Sequence, residues 1–161
     1  MYKRQTQGFV GLNNSQRAAP QGLDAVFKLA FKEISSKSNV VFEEVATWQE
    51  AANGQGTLIY GGNTGTAYAF SGGNIVWGGG GGDSDYSFQL AIHEILHVLN
   101  MGHSHQLFPA YSRDLLGEAT LEHSNLSYYR PRLFMGMRDL RMYDMAYLHY
   151  RFGVNLSLIH I

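Results

Sequence analysis

The chain contains no cysteine in 161 residues. Disulfides, thiolate metal sites and cysteine nucleophiles are therefore excluded, and cysteine usage gives no indication of redox compartment. Proline is scarce, with three residues, so long helices and strands have few obligatory breaks. No apolar run reaches the roughly 18 residues of a membrane span. Neither sign of charge dominates: Lys plus Arg is 12 and Asp plus Glu is 13. That balance gives no electrostatic reason to expect nucleic acid or an anionic membrane as partner. The opening "MYKRQTQGFVGLNN" lacks the apolar core of a secretory signal.

The chain is rich in apolar residues, at 45% against 16% charged, which is a globular composition with room for one core. Residues 1–20 read as an irregular N-terminal segment. Residues 21–155 read as one domain, and 156–161, "LSLIHI" being abruptly apolar for a terminus, as a tail of non-native origin. In "QGLDAVFKLAFKEISSKS" the apolar positions Leu23, Val26, Phe27, Ala30, Phe31 and Ile34 follow helical spacing and predict an amphipathic helix packed on a sheet. "NVVFEEV", "GTLIYGG", "GTAYAF" and "NIVWGG" read as four short strands separated by Gly and Asn turns.

"GGGGGDSDYS", residues 78–87, reads as a loop whose Asp83, Ser84 or Asp85 caps the next helix. It lacks the lysine and spacing of a phosphate-binding loop. Tyr86 to about Asn100 reads as that helix, with Phe88, Ile92, Ile95, Leu96 and Leu99 as its apolar stripe. Residues 101–136 look irregular, and "RDLRMYDMAYLHYRFG" reads as a last helix stopped by Gly153. The order helix, strands, helix, loop, helix predicts an α/β (α+β) domain with a twisted mixed sheet.

"HEILHVLNMGHSH", residues 93–105, carries the chemistry. On a helix His93 and His97 lie one turn apart on one face, so both imidazoles can approach one zinc at about 2.0–2.1 Å. Glu94, beside the first ligand, reaches a water on that metal rather than the metal, which suits a general base. His103 cannot join from a straight helix, because ten residues would carry it about 15 Å along the axis. The chain must turn back, and Asn100 tolerates the positive φ such a turn needs. Gly102 adds freedom just before the third ligand. Three protein ligands leave one position for water, the pattern of a catalytic zinc site. The implied reaction is peptide or amide hydrolysis.

These residues resemble a family. "HEILHVLNMGH" is similar to the metzincin pattern H-E-x-x-H-x-x-G-x-x-H, with His93, Glu94, His97 and His103 matching and Asn100 where the pattern has Gly. "VVFEEV" looks like the first strand of the matrixin and serralysin branches. "GTAYAF" looks like the edge strand along which those enzymes lay out substrate. "MYDMAYLHYRFGVN" is similar to the helix segment D-I-x-A-I-Q-x-L-Y-G-x-N that closes the serralysin catalytic domain. "HSNLSYY" resembles the serralysin Met-turn, with Leu126 at the methionine and Tyr128 at the tyrosine position. Ser104 is closer to the matrixin branch, so neither branch is singled out.

The resemblance covers roughly residues 23–155. It implies a zinc metalloendopeptidase with an active-site helix, zinc on His93, His97 and His103, and Glu94 as general base and then acid. It gives Tyr128 a role as a movable extra ligand or oxyanion partner, and Leu126 that of an apolar floor. It also implies structural Ca2+ in Gly- and Asp-rich loops such as 78–85, a monomer acting outside the cell, and polypeptide substrates docked by strand addition.

Two rival readings stay beside it. One is a zincin whose third ligand is Glu118 or Glu122. The other is a non-catalytic or weakly active metal- or peptide-binding module on the same scaffold. His105 is expected at the rim, and His123, His149 and His160 at the surface or in hydrogen bonds. Tyr129 is expected to pack or to line a substrate pocket. Tyr143, Tyr147 and Phe152 are expected in the core.

Overall fold

A computed structural model of the chain describes residues 6–10, 22–44, 57–61, 67–70, 73–78, 85–103, 120–128 and 139–156. It is a mixed helix and strand architecture. In chain order the elements are β1 (Thr6–Val10), α1 (Leu23–Lys37), β2 (Val41–Glu44), β3 (Thr57–Gly61), β4 (Tyr68–Ala69), β5 (Ile75–Trp77), α2 (Asp85–Val98) and α3 (Met142–Phe152).

The five strands form one sheet in the order β2-β1-β3-β5-β4. β1 pairs parallel with β2 and β3, and β3 pairs parallel with β5. Among the described strands only β4 runs antiparallel, with Tyr68 opposite Val76 and Ala69 opposite Ile75. β1, α1 and β2 thus make a strand–helix–strand crossover, the connection that parallel strands require.

α1 forms where the periodicity places it. Leu23, Val26, Phe27, Ala30, Phe31 and Ile34 are all buried along one face. Phe27 meets Trp77 of β5 edge-on at 5.4 Å, and Phe31 meets Phe42 of β2 at 4.4 Å, so the helix is fixed across the sheet. Each such side chain contributes about 1.5–3 kcal/mol by leaving water. Gly22 precedes the helix at φ 86°, a conformation that side chains rarely adopt.

α2 is buried on nearly every side: Phe88, Ala91, Ile92, Ile95, Leu96 and Val98 belong to the same core as α1, and His93 and Glu94 are buried with them. A helix so enclosed can hold polar side chains only where they have a use or a partner. α3 runs to Phe152, and Gly153 stops it at φ 89°, as the sequence suggests. Phe152 is buried, and Tyr147 packs against the core. Tyr143 is half-buried beside the His123 ring.

One expectation is corrected. Residues 1–20 read as irregular, yet Thr6–Val10 is a strand at the inside of the sheet, bonded to neighbours on both sides. "TQGFV" has no alternation and contains Gly8, so its pairing comes from partners about 35 and 50 residues away rather than from local propensity. Other expectations fall outside the described residues: the caps Asp83 and Ser84, Ser104, His105, Glu118, Tyr129, His160 and the tail from 157. Among the described residues no helix is long and apolar enough to cross a membrane.

Candidate metal centre

α2 ends in a turn that decides the site. Met101 N–H donates to the Leu96 carbonyl at 3.0 Å and Asn100 N–H to the His97 carbonyl at 2.9 Å. These are the paired 6→1 and 5→2 bonds of a Schellman ending, which needs a left-handed residue just past the helix. Asn100 fills that place at φ 68°. The turn is therefore made at Asn100. Gly102, expected to add freedom just before His103, is exposed and is not among the residues with positive φ.

The reversal brings His103 back to the two helical histidines. The Nε2 atoms lie 3.1 Å apart for His93 and His97, 3.0 Å for His97 and His103, and 3.3 Å for His103 and His93. A tetrahedral ion with bonds of about 2.0–2.1 Å would set its nitrogen ligands about 3.3–3.4 Å apart. The triad is close to that spacing.

Two of the rings are oriented from behind. The His93 Nδ1–H donates to the Asn125 carbonyl at 2.7 Å, and the His97 Nδ1–H to the Met101 carbonyl at 2.8 Å. A carbonyl oxygen only accepts, so in the neutral rings the proton sits on Nδ1 and Nε2 keeps its lone pair. Two lone pairs facing each other at 3.1 Å repel unless a cation lies between them. Burial also holds the His97 pKa below the usual imidazole value, against the opposing pull of its Met101 hydrogen bond. The three histidines therefore form a group able to hold a metal ion.

Glu94 is 2% exposed, and its Oε2 has no hydrogen-bond partner among the described residues. Burial pushes its carboxyl up to about 7. A buried carboxylate with an unpartnered oxygen, one residue along the chain from His93, is costly as mere structure and suits a group that exchanges a proton.

Tyr128 reaches the same place. Its ring lies 4.5 Å from that of His103 and stacks on that of His93 at 5.8 Å. The residue is 63% exposed, so it flanks the histidines from the solvent side. Its phenol is pushed up by burial and then by the Glu94 charge. Leu126, two residues earlier, is wholly buried in the core. Glu122 is exposed and does not join the metal-ligating group. His123 is half-buried and 3.3 Å from Thr120 Oγ1, and His149 bonds the Lys37 carbonyl through Nε2 at 2.7 Å. Both are hydrogen-bonded residues outside the triad. Of the stretch considered for calcium, residues 79–84 lie outside the described residues.

Sequence reasoning missed the support behind the site. Asn125, whose carbonyl orients His93, is held by Asp144 of α3, a fully buried carboxylate that accepts from Ser124, Asn125 and Arg141. Burial pushes the Asp144 carboxyl up, and these donors pull it back. The only local signal is an acid at the third position of a helix. Neither a protein-family model nor a curated protein matches this chain.

Proposed function

We propose that the chain is a zinc-dependent endopeptidase of metzincin-like architecture, acting on extended polypeptides outside the cell. The observation that carries the reading is the convergence of three Nε2 atoms at 3.0–3.3 Å, with the buried Glu94, whose Oε2 has no hydrogen-bond partner among the described residues, next in the chain to His93. Three imidazole nitrogens in near-tetrahedral spacing suit zinc, and such a set leaves a fourth position, as in catalytic sites. Zinc, when bound, supplies a Lewis acid and lowers the pKa of a coordinated water to about 7.

The chain's own residues do the rest. Glu94, with its basicity raised by burial, accepts a proton from the attacking water and returns it to the leaving amine. The Tyr128 hydroxyl, on a ring packed against His103, can donate to the oxygen that gains charge. β4 supports strand addition by a substrate. Phe70 N–H bonds inward to the Asn74 carbonyl at 3.0 Å, so by alternation the Ala69 N–H and C=O point away from β5, to the side where no further strand lies among the described residues.

The test combines metal analysis with a casein-type or quenched fluorogenic peptide assay. The protein should carry about one zinc per chain by the ligand count of such sites. His103→Ala should lose it on dialysis, and Glu122→Ala should keep it. Glu94→Gln should retain zinc while losing about 10²–10⁴-fold in turnover. Full turnover in zinc-loaded Glu94→Gln would falsify the mechanism, and full zinc in His103→Ala would remove the ligand set.

A further inference from the structure

α3 supplies no member of the histidine triad, yet two of its residues are tied to both chain segments that orient it. Asp144 accepts from Ser124 Oγ at 2.8 Å, from the Asn125 N–H at 3.0 Å, from the Asn125 side-chain amide at 2.7 Å and from the Arg141 N–H at 3.1 Å. Capping α3 accounts for the Arg141 bond alone. The other three grip residues 124 and 125, and the Asn125 carbonyl is the acceptor for His93. Asn125 is thus clamped by backbone and side chain at once. Three residues along the same face of α3, the Tyr147 hydroxyl donates to the Leu99 carbonyl at 2.9 Å. Leu99 immediately precedes the left-handed Asn100, and Met101, just past it, supplies the acceptor for His97.

We propose that α3 is the strut of the metal centre, with Asp144 and Tyr147 as positioning residues that fix the two carbonyls setting the tautomer and aim of His93 and His97. The proposal rests on reading the triad as a metal centre. It concerns residues that touch neither metal nor substrate: Asp144 acts through Asn125, and Tyr147 through the 99–101 turn. Groups that orient ligands in this way commonly change metal affinity by about 10–100-fold when removed. The two links here lie one bond further back, so the smaller end of that range applies.

The variants are Asp144→Asn, which keeps volume but gives up an acceptor oxygen and the charge, and Tyr147→Phe, which removes one hydroxyl. His149→Gln is the control, since His149 is on α3 but bonds the end of α1. Three measurements are made well below each variant's unfolding temperature: zinc affinity by chelator competition, the visible spectrum of the Co2+ form, and imidazole tautomers in the metal-free protein by long-range proton–nitrogen NMR. Asp144→Asn should weaken zinc about tenfold, alter the cobalt bands, and remove the single Nδ1–H tautomer of His93. Tyr147→Phe should act on His97 with a smaller loss. His149→Gln should lower thermal stability and leave all three readings unchanged.

Wild-type affinity and tautomers in folded Asp144→Asn would overturn the proposal, as would an equal affinity loss in His149→Gln. If Asp144→Asn does not fold, Tyr147→Phe decides by the same readings. If the wild-type protein takes up no zinc, the enzymatic reading fails, while the tautomer spectra still decide this one.

Discussion

The Nδ1 of His97 lies 2.8 Å from the carbonyl of Met101, a residue that the left-handed turn at Asn100 brings back alongside the helix. One backbone conformation therefore serves two ends. It closes α2, and it places both an acceptor for the second histidine and the third histidine itself. Asn100→Gly should keep stability and zinc content, because glycine adopts this φ freely. Asn100→Val should cost about 1–2 kcal/mol and weaken zinc. Urea unfolding of the metal-free forms and chelator competition separate the two effects.

Glu94 gives the metal-free protein a pH signature. Its carboxyl is pushed up to about 7 by burial, from an ordinary value of 4.5. Between those values the folded state binds more protons than the unfolded state, so stability falls as pH rises from about 4.5 to 7 and levels off above. The loss is on the order of 1–3 kcal/mol. His97, whose pKa is held down by burial, contributes the opposite slope below about 6.5, so the difference between wild type and Glu94→Gln isolates the carboxyl. Urea unfolding in chelator at pH 5 and pH 8 measures it. A difference that does not change with pH would contradict the assignment.

Leu126 is fully buried next to Asn125, so its packing and the His93 acceptor share one short segment. Leu126→Ala should cost about 2–5 kcal/mol as a core cavity. Leu126→Met should cost less than about 1.5 kcal/mol and leave zinc affinity near wild type. Thermal unfolding with and without chelator distinguishes a loss in the core from a loss at the metal.

Tyr128 touches the triad from the solvent side, so its hydroxyl carries none of the fold's core packing. Tyr128→Phe should leave zinc content and unfolding temperature unchanged and lower kcat about tenfold or more, the magnitude of a lost transition-state hydrogen bond. An unchanged kcat would confine the ring to packing against His93 and His103.

Local rules carried most of the frame. Helical spacing from Leu23 to Ile34 identified the face of α1 that is buried, and His93, His97 and His103 met because their offsets and Asn100 together demanded a turn. β1 stayed hidden because "TQGFV" owes its strand to parallel neighbours far along the chain. Asp144 stayed hidden for the same physical reason. Its bonds to Ser124 and Asn125 span 20 and 19 residues, and no period or spacing rule encodes a hydrogen bond between a helix and a distant turn. Tyr128 was placed by resemblance alone, since nothing in "SNLSYY" says which way a ring will face.

The two rims of the sheet are unlike. β2 ends in Glu43 and Glu44, both exposed, and like charges there discourage another molecule from zipping on. β4 is two residues long, bears no charge, and is followed by the exposed Phe70, whose ring packs edge-on with Tyr68 at 5.7 Å. At high concentration, copies of the chain should stick to one another through the bare rim and not the guarded one. Under the proposed function, crowding would then conceal the strand offered to a peptide, and turnover per molecule would drop as the solution is concentrated.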